Sequence, residues 1–170
     1  ALELAAGSDR PADAAGIALA PLARQIEDDA LRYPHVTVQI DRARRTATFT
    51  VRAPAGGQPL TIDEIVAAGV AWWPLALARE LDDAILSMRS NEPEIGLWLL
   101  RTEGEALAVL EADALLIEHG RHWFVRETVG WLRRTFSRLD VSSRTLFALI
   151  EPGSCFAGSV LELALAGDRA

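Results

Sequence analysis

Lysine is absent from this chain; all 17 basic residues are arginine. A Schiff-base mechanism needs a lysine amine, and the phosphate-cradling loop ending in Gly-Lys-Ser/Thr needs its ammonium, so both are excluded. Cysteine is nearly absent as well, Cys155 standing alone. A single thiol makes neither an internal disulfide nor a thiolate metal cluster, which fits a reducing cytoplasm. Positive charge is in deficit, 17 basic residues against 24 acidic ones for a formal charge of -7. Nucleic acid and anionic lipid call for the opposite balance, so neither is an expected partner beyond a local patch. No apolar run approaches the roughly 20 residues of a membrane span, and no basic stretch precedes an apolar one at the N-terminus.

What is present suffices for one folded unit. In 170 residues, half of them apolar, there is room for one core of ordinary size. Ala1 to Ala6 reads as the end of a helix, and Gly7 to Ala20, rich in Ala, Gly, Pro and Asp without a period, reads as a linker. Residues 1–20 are therefore expected to close a preceding half and connect it to a domain beginning at Pro21, whose N-terminal part is residues 21–170. Both ends of the chain are expected to lie inside a longer polypeptide.

Within that domain, Pro21 to Arg32 is expected to form a short helix or coil. Val36, Val38 and Ile40 alternate with polar residues, as do Ala47, Phe49 and Val51, and the turn at Asp41 to Arg45 between them predicts a β-hairpin. Thr61, with Glu64 three places on, predicts a helix start that stops near Gly69. Leu77, Leu81, Ile85 and Met88 recur at helical spacing over Leu75 to Ser90, with Pro74 in the first turn. Ile95 to Arg101, apolar on both faces, reads as a buried parallel strand. Ala106 to His119 reads as a helix over that strand, and Arg121 to Leu139 as an amphipathic one presenting Val125, Val129, Leu132, Phe136 and Leu139. The fold class is α/β, strand-then-helix units opened by a hairpin.

Leu146 to Ile150 then meets a turn carrying Pro152, Gly153 and Gly158, followed by a strong helix former from about Val160. A turn feeding a helix start aims unpaired N–H groups outward and suits an anion or a polarised carbonyl oxygen. Were the ligand a thioester, such donors would hold its enolate.

The run Ala157-Gly158-Ser159-Val160-Leu161-Glu162-Leu163-Ala164-Leu165-Ala166-Gly167-Asp168 resembles the second oxyanion-hole motif of the crotonase, or enoyl-CoA hydratase/isomerase, superfamily: a glycine cluster followed by Glu-Leu-Ala-Leu-Ala-x-Asp. Trp72-Trp73-Pro74-Leu75, Ala78 to Arg89, His122 to Thr128 and Leu139 to Arg144 extend the similarity over the whole chain, to the middle of a long superfamily lyase built of two crotonase-like halves. The resemblance implies a truncated crotonase-like ββα spiral. It implies a parent enzyme that opens the ring of a dihydroxylated or epoxide-derived dihydrobenzoyl-CoA by enolate stabilisation and acid-base chemistry. It further implies no metal and no cofactor beyond the coenzyme A of the aryl-CoA substrate, the first crotonase-like half as intramolecular partner, and a homodimer. Gly158 and Ser159 are the candidate oxyanion-loop residues and Glu162 the candidate acid or base. Two departures bear on activity. Only Gly158 remains of the glycine cluster, and Thr102-Glu103-Gly104-Glu105 stands where the superfamily's first oxyanion motif belongs. A hole needs donors from both loops, so this segment is expected to be scaffolding, with catalysis in the first half.

Each candidate has a plainer reading beside it. Glu162 near a helix start is favoured by the dipole without any task, and Cys155, with no histidine near in sequence, reads as a buried inert thiol. His119 and His122 have a metal-compatible spacing but lack a third ligand, and a helix junction explains them. Arg121, Arg126, Arg133, Arg134, Arg138 and Arg144 either meet coenzyme A phosphates or a partner's acidic surface, or form a solvated face. Trp72 and Trp73 are candidates for packing against the other half. A small acyl-CoA enzyme using Gly158 and Glu162, and a non-catalytic module using the Arg121 to Leu139 helix, remain as alternatives.

Overall fold

The hairpin forms with the expected register. Strands β3 (Val36–Asp41) and β4 (Thr46–Arg52) pair antiparallel, Val38 opposite Phe49, and the Arg44 N–H donates to Asp41 Oδ1 at 2.9 Å across the turn. This computed structural model describes residue 3, residue 7 and residues 15–170; the helix end expected over Ala1 to Ala6 and the first part of the linker fall largely outside them. Residues 15–20 carry no regular structure.

The short helix or coil expected over Pro21 to Arg32 is instead a second hairpin. β1 (Gln25–Ile26) and β2 (Ala30–Arg32) pair with each other, and β2 pairs with β3. The acidic run Glu27-Asp28-Asp29 supplies the turn, and the Gln39 amide donates to the Asp29 carbonyl and carboxylate, both at 3.0 Å. Three residues of β2 have no detectable period, and the open ladder edge of β3 decides their state. The sheet therefore starts one hairpin earlier than expected.

Helix α1 (Ile62–Ala68) begins where Thr61 Oγ1 accepts the Glu64 N–H at 3.3 Å and ends at Gly69, whose φ of +53° suits glycine. Helix α2 (Trp73–Asn91) follows, then strand β5 (Leu97–Glu103), helices α3 (Ala106–Glu118) and α4 (Trp123–Asp140), and strand β6 (Thr145–Ala148). β5 lies parallel to β4, and β6 parallel to β5, so a six-stranded mixed sheet has its strands in chain order with helical crossovers between the parallel ones. The α/β class expected from the pattern is what forms.

One side of this sheet is fully buried: Val36, Val38, Ile40, Ala47, Phe49, Val51, Trp98, Leu100 and Leu146 share a core with Leu77, Leu81, Ile85 and Met88 of α2 and Val125, Leu132 and Leu139 of α4. The opposite side, with Thr37, Thr48, Leu97, Leu99 and Phe147, is half-buried. β5 accordingly alternates rather than being buried on both faces, because helices cover only one side completely. Trp72 and Trp73, candidates for packing against the other half, are buried in this core instead, and the Trp73 indole donates to the Arg52 carbonyl at 3.0 Å. Their apolar area is spent at the junction of β4 with α2. α2 and α4 are joined by Thr135 Oγ1, which donates to the Ala78 carbonyl at 3.3 Å, and by an ion pair of Arg138 with Asp82.

A second carboxylate is buried in α2. Glu80, 4% exposed, accepts the His35 N–H at 2.7 Å, and burial pushes its carboxyl from 4.5 up to about 7, against the pull of the His35 and Val36 amides and Arg79. The folded state thus holds this proton more tightly than the unfolded chain. Its stabilising contribution is complete below about pH 4.5 and is lost as pH rises through about 7. His35, held below its ordinary value by burial and by Arg52, acts in the opposite sense, so the comparison with a variant isolates Glu80. Denaturant unfolding at a series of pH values should show the parent losing up to roughly 3 kcal/mol relative to Glu80→Gln between these limits.

Candidate functional site

The parallel register brings two loops side by side at the C-terminal ends of β5 and β6. The segment after β6 is strapped to β5: the Leu149 N–H donates to the Leu100 carbonyl at 2.9 Å and the Cys155 N–H to the buried Thr102 Oγ1 at 2.8 Å. Arg101 pairs with Glu151 at 2.8 Å. Gly153 takes φ +87°, and its carbonyl accepts the Gly104 N–H at 3.3 Å. Gly104 itself, at φ +119°, lies so near Ala53 that an added Cβ would stand 2.8 Å from the Ala53 Cβ. Its N–H is therefore committed to the neighbouring loop.

The helix expected from Val160 is short. A 3₁₀ turn over Gly158–Val160 leads into α5 (Leu161–Leu165), five residues long. Its second donor is taken. The Ser159 N–H donates to Asp113 Oδ2 at 2.5 Å, the carboxylate reaching over from α3. Gly158 adopts φ +47°, and an added Cβ there would come within 1.9 Å of the same oxygen, so glycine is required by the backbone and by Asp113 together. The anion site expected at this turn is thus filled from within. Asp113 Oδ1 and Ser159 Oγ are buried without a hydrogen-bond partner.

Glu162 sits exposed on the first turn of α5. With Ser159 it lines an open cavity of about 480 Å³ between α3, α4 and α5. Leu116, Val129, Leu132, Phe136, Leu165 and Ala166 give this cavity an apolar wall, and Arg133, Ser137 and Asp140 stand with Glu162 as its polar members. Its volume lies in the range of small-ligand sites. Gly158 and Ser159 thus reach the same neighbourhood as Glu162, but Gly104 is not brought to this cavity.

The other candidates have structural posts. Asp168, last residue of the motif, accepts the Leu146 N–H at 2.9 Å and returns its own N–H to the Leu146 carbonyl at 2.7 Å. Cys155 is fully buried. His119 ends α3, and His122 caps α4 by accepting the Phe124 N–H at 3.4 Å, so the pair marks a helix junction. No group of three metal-ligating side chains occurs among the described residues. Of the arginine series, Arg121, Arg126, Arg133 and Arg134 are exposed; Arg138 is committed to Asp82, and Arg144 lies 6.0 Å from the centroid of the Trp98 ring. Asp113 is the site residue that sequence reasoning missed. Its signal was a lone inward-facing carboxylate in an otherwise apolar run, Ala112-Asp113-Ala114-Leu115-Leu116.

Over 166 residues, 98% of its length, the chain is 57% identical to the benzoyl-CoA-dihydrodiol lyase of Aromatoleum evansii. It is homologous to a segment of that lyase. The chain spans about 30% of the length of this relative. The expected similarity to a long CoA-thioester lyase thus holds across nearly every residue. Among solved structures, an enoyl-CoA hydratase from Geobacillus kaustophilus HTA426 aligns with a TM-score of 0.48 at 16% identity, covering 81% of this chain and 46% of the other. No protein-family model matches.

The Asp113 contact can be tested by a double-mutant cycle. Gly158→Ala should cost roughly 2 to 3 kcal/mol, from a left-handed backbone and the collision with Asp113. Asp113→Ala should cost roughly 1 to 3 kcal/mol for the lost charge-assisted bond. With Asp113 removed, the collision is gone, so the double variant should recover at least about 0.5 kcal/mol relative to the sum, read from denaturant midpoints.

Proposed function

We propose that this chain is part of a longer carbon–carbon lyase of the benzoyl-CoA-dihydrodiol type and contributes architecture and interface to it. The substrate would be 2,3-dihydro-2,3-dihydroxybenzoyl-CoA or its epoxide precursor. Ring opening of the dihydrodiol with one water gives 3,4-dehydroadipyl-CoA semialdehyde and formate, a step of aerobic benzoate breakdown in the cytoplasm. The reading carries the coenzyme A of the substrate and no separate cofactor, and it places the enolate-stabilising loops in the half outside this chain. The identity to the lyase of Aromatoleum evansii supports the parent activity. The architectural role is supported by one observation: the Ser159 amide, which a working oxyanion loop would offer to a thioester, is already bonded to Asp113.

A second reading rests on the cavity that Ser159 and Glu162 share. There the chain would itself bind an acyl-CoA, with Glu162 as acid or base. Calorimetry with benzoyl-CoA and a turnover assay with the dihydrodiol thioester separate the two. The first reading expects neither binding heat nor turnover from the 170-residue chain and both from the longer polypeptide. Saturable binding by the chain, weakened by Glu162→Gln, would establish the second.

A further inference from the structure

The connector ahead of the first strand is bonded along one stripe of α2. Residues 15–20 carry no regular structure and have the composition of a linker, yet α2 holds this stretch at successive turns. Leu75, Arg79 and Asp83 stand four apart and so lie on one face of the helix. Leu75 shares a groove of about 180 Å³ with Ile17 and Leu19 of the connector and with Trp123, Phe124 and Trp131 of α4. Ile17 also approaches Gly69, its Cγ2 lying 3.6 Å from where a Cβ would stand. The Arg79 guanidinium donates to the Ala20 carbonyl. Asp83 Oδ2 accepts from Arg24 at 2.9 Å and from the Tyr33 hydroxyl at 2.7 Å. Residues 17, 20 and 24 thus lie beside 75, 79 and 83 in order, connector and helix running the same way. Arg24 precedes β1 and Tyr33 follows β2, so one carboxylate clasps both feet of that hairpin.

A surface ion pair taken singly is worth little. Here the carboxylate is shared between a cation and a buried tyrosine, and the apolar anchors Ile17 and Leu22 pack against the core on either side of the Ala20 contact. We propose that residues 17–24 form a strap, a unit that latches to α2 and releases as a whole. It fixes where the polypeptide upstream of Ile17 meets this domain, beside the first turns of α2 and α4. The strap deepens the architectural role: in a longer lyase the preceding part would be set on this corner instead of loosely tethered. That consequence rests on the proposed function, whereas the strap itself does not.

Trypsin tests the strap at the Arg24–Gln25 bond, with the Arg44–Arg45 bond in the turn of the β3–β4 hairpin as control. Cleavage of a protected bond in a folded chain follows the population of its locally opened form. Arg79→Ala leaves the Arg24–Asp83 pair in place and removes the contact at Ala20. It should speed cleavage after Arg24 at least about threefold, and Asp83→Ala at least about tenfold, with the control bond changed less than about twofold. Tyr33→Phe, which keeps the ring and loses one hydrogen bond, should act in the same direction by about threefold. Cleavage after Arg24 that is indifferent to Arg79→Ala would overturn the proposal, because the contacts would then open independently. Equal acceleration of both bonds in the mild Tyr33→Phe variant would overturn it too, since the hydroxyl would then support the fold as a whole. Neither readout involves thioester binding or turnover, so the strap and the lyase reading fail separately.

Discussion

The parallel pairing of β4, β5 and β6 is the constraint from which the rest of the molecule follows. Parallel neighbours cannot be joined by a tight turn, so each pairing forces a helical crossover. The covered side of the sheet then carries its largest groups at the centre, with Phe49 and Trp98 tilted against one another at 4.8 Å between ring centroids. α2 and α4 meet above them, and their contact is closed by Asp82, which takes the Arg138 guanidinium and the Trp131 indole together. The half-buried pair has its charges satisfied, so removing either partner would strand the other.

The same parallelism aligns the C-terminal ends of β5 and β6, where the loops of open α/β sheets usually gather their ligands. Here three of the gathered donors are bonded internally. The Gly104 amide is given to Gly153, the Cys155 amide to Thr102 and the Ser159 amide to Asp113. A ligand oxygen arriving at Ser159 would have to displace a carboxylate whose charge-assisted bond is roughly twice as strong as a neutral one. Gly158 keeps a left-handed conformation, φ +47°, beside the Asp113 carboxylate. Asp113 meets the loop at Ser159, and the loop becomes a strap between α3 and α5.

Much of this was legible from the residues because it is written in local periods. The hairpin at Val36 to Val51, the Thr61 cap and the amphipathic helix from Trp123 each carry a pattern that forms regardless of what surrounds it. β1 and β2 carry none, since two or three residues have no period and depend on an available sheet edge. The partner of Trp72 and Trp73 was open for a related reason: a paired tryptophan signals burial without saying against what. The candidate loop is marked in the chain by its glycines, but its hydrogen bonding depends on Asp113, 46 positions from Ser159. A pairing of that separation leaves no trace in spacing, and only the crossover through α3 and α4 brings the two together.

The exposed side of α3 extends this reasoning to surfaces. Its inner residues are explained by the core and its inward carboxylate by Ser159, while Leu107, Leu110 and Ile117 stay exposed among the described residues. Burying three such side chains is worth several kcal/mol in total at roughly 1.5 to 3 kcal/mol each. Any association there must spend part of that on lost freedom of motion, so these three side chains alone support a contact of modest strength rather than an obligate one.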